Sequence, residues 1–242
     1  MGRKQRLDNL LVARGLVESR AKAQALIMAG DILVEGKAVT KAGTPVEEAA
    51  ALTVVEPPPF VGRGGIKLDH ALNEFGIDVT GKVAADIGAS TGGFTDCLLK
   101  RGASRVYAVD VGYGQLDYHL RRDSRVVVLE RVNARYPISL PEKVDLITVD
   151  VSFISLEKIV PPVAGLLKDD GGMIVLLKPQ FEAKRSEVGK GGVIKELTVQ
   201  ARVLGRFINW LAGHGFRLGG LVASPIRGAS GNREFLVWLK PQ

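Results

Sequence analysis

The sequence predicts an α/β protein in two parts, a small N-terminal α+β module and a larger domain built on a doubly wound, mostly parallel sheet. Three observations carry this. Apolar runs at 83–87, 106–109, 126–129, 144–149 and 173–177 alternate with stretches of helical spacing, as in successive βαβ units. A glycine-rich stretch, Asp86-Ile87-Gly88-Ala89-Ser90-Thr91-Gly92-Gly93-Phe94, stands where the first run gives way to a helical pattern. Glu56-Pro57-Pro58-Pro59-Phe60 breaks regular structure, because each proline lacks an amide donor and biases its predecessor towards extended backbone. The expected organisation is therefore a module at 1–56, a Pro-rich linker at 57–62 and a second domain at 63–242.

Composition narrows the function. In 242 residues, 46% apolar and 24% charged is ordinary globular content and excludes a disordered chain. A net charge of +7 favours a polyanionic partner, nucleic acid first. The cations gather early: all eight Lys and Arg of residues 1–41 face only Asp8, Glu18, Asp31 and Glu35. Cys97 is the single cysteine and His70, His119 and His214 are scattered, so neither an intrachain disulfide nor a metal site is expected. No apolar run approaches the ~20 residues of a membrane span, and a soluble, cytoplasmic protein without a membrane partner is the expectation.

Along the chain, Leu7, Leu10 and Leu11 recur at helical spacing before Gly15, and Ser19 can open a second helix carrying Ala23, Leu26 and Ile27 up to Gly30. The non-apolar positions of this pair include Arg3, Lys4, Arg6, Arg14, Arg20 and Lys22. Two short apolar runs flanking Glu35-Gly36-Lys37 read as a hairpin. Beyond the prolines, Arg63-Gly64-Gly65 leads into a helix whose stripe is Leu68, Ala71, Leu72 and Phe75, with Lys67 and His70 off it. The glycine turn then aims backbone amides and a helix start at a ligand. Asp110 ends the next strand 22 residues after Gly88, where a carboxylate can accept both hydroxyls of an adenosine ribose. Asp86, Gly88, Ala89, Ser90, Gly92, Gly93, Phe94, Asp110, Val111 and Asn133 are accordingly assigned to a cofactor.

Asp150 and Lys178 close the next two strands and should emerge at the same C-terminal sheet edge. A long amphipathic helix follows, then two apolar runs joined by the glycine loop 225–233, from which Glu234 enters the last strand. So short a connection suits an antiparallel pair. The segment 181–193, with Lys184, Arg185, Lys190 and three glycines, reads equally as a lid that closes over RNA and as a mobile surface loop.

Two resemblances sharpen this reading. R-L-D-N-L-L-V-A-R-G-L-V-E-S-R-A-K-A-Q-A-L-I-M-A-G-D-I-L-V-E-G-K-A-V resembles the alpha-L RNA-binding module of ribosomal proteins and pseudouridine synthases. It implies that the early cations meet a folded RNA backbone; Arg63, Lys184, Arg185 and Lys190 of the larger domain are separately expected to face the RNA. Lys67, Asp150, Lys178 and Glu234 match the K-D-K-E tetrad of FtsJ-like ribose 2′-O-methyltransferases. The words G-R-G-G-I-K-L, D-I-G-A-S-T-G-G-F-T-D, A-V-D-V-G-Y-G-Q-L, V-D-V-S-F-I-S-L, L-L-K-P-Q-F-E and G-N-R-E-F-L are similar to the TlyA family over nearly the whole chain. Thr91 departs from the wider pattern, where proline is usual.

The TlyA resemblance implies a Rossmann-like methyltransferase with a seven-stranded sheet, S-adenosyl-L-methionine as cofactor, the four tetrad residues as catalytic, and ribosomal RNA or ribosomal subunits as partner. The implied reaction methylates a cytidine 2′-hydroxyl. Two alternatives stay open on the sequence: a non-catalytic RNA-binding or assembly factor, and a membrane-active hemolysin, a name that members of the family carry.

Overall fold

The computed structural model describes residues 4–55 and 58–242, which form two compact units divided between Pro58 and Pro59. In the first, β1 (Lys4–Arg6) leads into α1 (Leu7–Ala13) and α2 (Arg20–Ala29), followed by β2 (Ile32–Val34), β3 (Lys37–Ala38), β4 (Pro45–Glu47) and β5 (Leu52–Val54). The Ser19 hydroxyl accepts the Lys22 amide at 3.2 Å to start α2, and Gly30, at φ +83°, ends it in the left-handed region. Glu35 and Gly36 both have positive φ, the condition for a tight two-residue turn between β2 and β3. Leu7, Leu11, Ala23, Ile27 and Ile32 fill the core.

One buried carboxylate organises this unit. Asp8 is fully buried and accepts from Arg6 Nε and Nη2 at 3.0 and 2.9 Å, from Arg20 Nε at 3.0 Å and from Gln24 Nε2 at 3.0 Å. Its carboxyl lies well below the usual range, chiefly because the Arg6 guanidinium donates to it. Lys4 and Arg6 lie on β1, paired with β4, and not on a helix as the spacing suggested. Three leucines make α1 visible from sequence, whereas a three-residue strand has too little pattern to read.

The second unit runs α3 (Arg63–Glu74), β6 (Val83–Ile87), α4 (Gly93–Lys100), β7 (Arg105–Asp110), α5 (Tyr118–Arg122), β8 (Val126–Glu130), β9 (Val144–Val149), α6 (Val160–Ala164), β10 (Leu167–Leu177), α7 (Pro179–Glu182), α8 (Leu197–Gly213), β11 (Phe216–Ala223) and β12 (Phe235–Pro241). Its seven strands are ordered β11-β12-β10-β9-β6-β7-β8, with β12 antiparallel to both neighbours and the β10-to-β8 half parallel. Alternate residues of β6 and β7 feed opposite cores, Ala85, Ile87, Tyr107 and Val109 with α6 and α8, Ala84, Val106 and Ala108 with α3 and α4. β6 lies between β7 and β9, where the winding reverses, and such a sheet opens for a ligand at that point of its C-terminal edge.

Two boundaries differ from the sequence reading. β10 begins at Leu167, not 173, because the exposed Lys168, Asp169 and Asp170 continue the strand across an irregular register before Gly172. Residues 59–62, expected as linker, pack onto the second unit: Val61 N donates to Asp96 at 2.9 Å, Lys100 Nζ donates to the Pro59 carbonyl at 2.7 Å, and Phe60 joins the α3/α4 core. Removing the Asp8 carboxylate should leave the four side-chain donors of Arg6, Arg20 and Gln24 facing a buried gap, so Asp8→Ala is expected to lower the melting temperature of the first unit by about 5–10 °C in calorimetry.

Candidate active site and cofactor cleft

The loop after β6 is set by backbone contacts. Gly88 and Ala89 amides both donate to the Val109 carbonyl, at 2.8 and 3.1 Å, and Asp150 N donates to Ile87 O at 2.9 Å. Gly88 has φ +84°, and a Cβ there would collide with the Asp150 carbonyl oxygen. Ser90, at φ +49°, donates its amide to Asp110 Oδ2 at 2.8 Å, and Gly112 N donates to Oδ1 at 2.7 Å. Asp110 is thereby fixed in orientation while each oxygen keeps a lone pair for a ligand hydroxyl.

Two adjoining cavities share this loop. The larger, about 500 Å³, is bounded by Gly88, Ser90, Asp110, Val132, Asn133 and Ile154, and among the described residues its charged lining residues are Asp110 and Asp150. Apolar walls, a carboxylate for hydroxyls and no lining cation suit an uncharged or cationic nucleoside and disfavour a phosphorylated one. The smaller, about 200 Å³, is bounded by Arg63, Gly64, Phe94, Asp150, Ser152 and Lys178. Gly88, Ser90, Asp150 and Ser152 belong to both.

At the shared wall, Lys178 Nζ lies 2.6 Å from Asp150 Oδ1 and donates to Ser152 Oγ at 2.8 Å. The Asp150 contact has the separation of an ion pair without an aligned hydrogen bond, so Oδ1, itself buried, retains accepting capacity. Lys67 Nζ donates to Glu234 Oε2 at 2.5 Å, a buried pair joining α3 to the start of β12. The tetrad is thus two ion pairs. Asp150 and Lys178 line the smaller cavity, whereas Lys67 and Glu234 line neither and sit behind it. The α3 spacing placed Lys67 off the apolar stripe; a carboxylate 167 residues away is what draws it into the interior.

Of the residues assigned to a cofactor, Gly88, Ala89, Ser90, Gly93, Phe94, Asp110, Val111 and Asn133 line one cavity or the other. Asp86 and Gly92 do not. Asp86 is fully buried, its oxygens accepting from Thr95 Oγ1 at 2.7 Å and Thr148 Oγ1 at 3.1 Å. A Cβ on Gly92, at φ +99°, would collide with Leu120, so this residue packs the rear of the loop against α5. Both shape the loop from behind. Ser152 and Phe153 went unassigned although the V-D-V-S-F-I-S-L run contains them. Their signal was position, directly after the strand that ends at Asp150.

The expected RNA-facing cations divide similarly. Lys4, Lys22, Lys184 and Arg185 are exposed, and Arg63, also exposed, donates to the Arg227 carbonyl. Arg6 and Arg20 are held on Asp8, and Arg14 donates to the Glu48 and Ala50 carbonyls. Arg3 and the Lys190 side chain lie outside the described residues. The segment read as a lid or a mobile loop is fastened: Glu187 pairs with Arg206 at 2.8 Å and Arg202 at 3.2 Å, and the buried Asn232 bonds Ile194 N and Gly192 O, each at 2.9 Å. Any opening must break these contacts.

Burial pushes the Asp86 carboxyl up to about 7, and the nearby Asp150 adds to the shift. A folded value above the ordinary 3.8 means that the native state binds a proton the unfolded chain releases. The stability this confers is complete below about pH 4 and is lost as pH rises through 7. Asp86→Asn has no such titration, so its stability relative to the parent should grow by on the order of 2–4 kcal/mol between pH 5 and 8. Parallel denaturation curves over that range would contradict this.

Comparison with known proteins places these features in a family. The FtsJ-like methyltransferase family matches residues 60–241, and the S4 domain family matches residues 5–51. The chain is 45% identical over 246 residues to the 16S/23S rRNA (cytidine-2′-O)-methyltransferase TlyA of Mycobacterium tuberculosis, covering 100% of this chain and 92% of that protein. It is 44% identical to Hemolysin A of Brachyspira hyodysenteriae, over 96% of this chain and 98% of the other. A solved structure from Streptococcus thermophilus, described there as a hemolysin, superposes with a TM-score of 0.75 at 40% identity, over 99% of this chain and 89% of that one. This chain belongs to the FtsJ-like methyltransferases that carry an N-terminal S4 domain, the TlyA family.

Proposed function

We propose that this protein methylates the 2′-hydroxyl of a cytidine ribose in ribosomal RNA, using S-adenosyl-L-methionine. The observation that carries the reading is the Lys178–Asp150 pair, 2.6 Å between charged atoms, with Asp150 on the wall common to both cavities and Lys178 in the smaller one. The larger cavity would hold the cofactor. Asp110 would take the ribose hydroxyls, Val111, Val132 and Asn133 would bound the base, and the 88–90 loop with Asp150 would face the methionine end. The cofactor supplies a methyl group already activated on a cationic sulfonium, which suits a cleft whose lining charges are Asp110 and Asp150.

The remaining difficulty is a ribose hydroxyl, a weak nucleophile that must be aimed along one line. Lys178, held by Asp150 and Ser152, reaches it from the smaller cavity. As the oxygen attacks, its proton passes into the Lys178–Asp150 pair, where Asp150 Oδ1 has capacity to accept. The Lys67–Glu234 pair holds α3, which carries Arg63 and Gly64 at the cavity rim. Proton transfer contributes typically about 10²–10⁴-fold, while alignment of bound reactants is worth roughly 7–11 kcal/mol. Alignment is therefore the larger share.

The membrane-active reading has no comparable support, and among the described residues no helix is long and apolar enough to cross a membrane. The family relation to the tuberculosis enzyme supports ribosomal RNA as substrate. The test incubates the protein with each purified ribosomal subunit and methyl-labelled S-adenosylmethionine, then maps any methylated ribose. Label on a cytidine 2′-oxygen is expected; no incorporation into any RNA would overturn the reading. Lys178→Ala should reduce transfer at least about 100-fold while calorimetric cofactor affinity stays near that of the parent. Gly88→Ala, whose Cβ meets the Asp150 carbonyl at positive φ, should instead weaken cofactor binding roughly 10–100-fold.

A further inference from the structure

Lys178 and Glu182 stand at the two ends of α7, one turn apart, and both reach back to the loop that follows β9. Lys178 holds its beginning, through Asp150 and Ser152. Glu182 holds its end: Oε2 accepts from Ser155 Oγ at 2.6 Å and Oε1 accepts from the Leu156 amide at 2.8 Å. The Ser155 hydroxyl also accepts the Glu157 amide at 3.2 Å, capping the 3₁₀ turn Leu156–Lys158. Burial raises the Glu182 carboxyl above its ordinary value, a cost set against these contacts.

Between the two fastenings the backbone is strained. Phe153 has φ +63° and is 90% exposed, its ring centre 4.9 Å from that of Phe181 on α7. An aromatic residue in the left-handed region persists only where its surroundings over-determine the backbone. Hydrophobic burial of so exposed a residue cannot supply that constraint; it comes from the packing of Val151 and Ile154 on the core together with the polar contacts at either end. We infer that Glu182 is a positioning residue for the transfer reaction: it clamps the 150–156 loop onto α7, so that Asp150 and Ser152 keep their places against Lys178. The inference rests on the methyltransferase reading for its kinetic consequence, and on the contacts alone for the hold on the loop.

The test compares full-length Glu182→Ala and Glu182→Gln by methyl transfer to purified ribosomal subunits and by hydrogen exchange of the 150–160 peptide. Misplacement of a catalytic pair by an ångström costs on the order of 100-fold, so Glu182→Ala should lower kcat by about 10–100-fold with KM for S-adenosylmethionine within roughly threefold of the parent. Exchange should rise in the 150–156 amides and stay unchanged in β6 and β7. Glutamine can accept the Leu156 amide through its oxygen and donate to Ser155 Oγ through its nitrogen, so Glu182→Gln should recover most of the rate and the protection.

Parental kcat and exchange in Glu182→Ala, or a Glu182→Gln as impaired as the alanine variant, would overturn the inference. So would a loss of protection spread over the whole sheet. If Glu182→Ala does not fold, Ser155→Ala removes one clamp contact and carries the same test, parental values again overturning it. A parent protein that labels no RNA would sink the proposed function, while the exchange arm would still decide whether Glu182 holds the loop.

Discussion

Between the ends of β6 and β9 two backbones run so close that Asp150 N donates to Ile87 O at 2.9 Å and no side chain can stand on Gly88. The site depends on that approach. It makes the glycine loop and the first residues after β9 a single wall with a cavity on each side, one bounded by Asp110 and one reaching to Lys178. Because β6 pairs with both β7 and β9, the same strand also brings Val109 and Asp110 alongside to fix the loop amides. A parallel sheet thereby delivers residues from 88, 110, 150 and 178 to one edge, although they are scattered over more than a third of the sequence.

The buried charges are arranged for position more than for stability. An ion pair such as Lys67–Glu234 must repay the desolvation of both groups, and apolar replacements of similar volume are often as stable. What the pair does supply is a fixed, directional link between α3 and the start of β12, elements that the sequence separates widely. Asp86 makes a related bargain beneath the loop. Its two threonine partners come from α4 and β9, so one carboxyl ties the strand, the helix leaving it and the neighbouring strand together. An alanine there would fill less space and link nothing.

The sheet was legible because its central strands are buried on both faces and read as uninterrupted apolar runs, and the turn at Gly88 because strand, glycines and helical spacing follow in order. Asp110, Asp150 and Lys178 were legible as polar residues at strand ends. What the sequence withheld depends on partners distant along the chain. Lys67 looked like a solvated charge on a helix, and its burial follows from Glu234. Asp86 looked like part of the ligand loop, yet its alternation along β6 turns it inward to Thr95 and Thr148. Glu182 closes the word L-L-K-P-Q-F-E, yet a carboxylate on one turn of helix announces no role until the loop it grips is known.

The same logic revises the basic front of the chain. Arg6 and Arg20 were counted as cations awaiting RNA, and both spend donors on Asp8 while their side chains remain 49% and 56% exposed. These two facts are compatible, because a guanidinium has five donors in a rigid fork and a carboxylate occupies one edge of it. Holding one edge removes rotamer freedom in advance, so the entropy of fixing a long side chain would not be charged again if a phosphate met the other edge. Asp8 also offsets part of their charge, which lowers indiscriminate attraction to polyanions while leaving two oriented heads and a net positive cluster. Under the proposed RNA-binding role, a buried aspartate that offsets the charge of this face would in this way make it more selective for a backbone of the right shape.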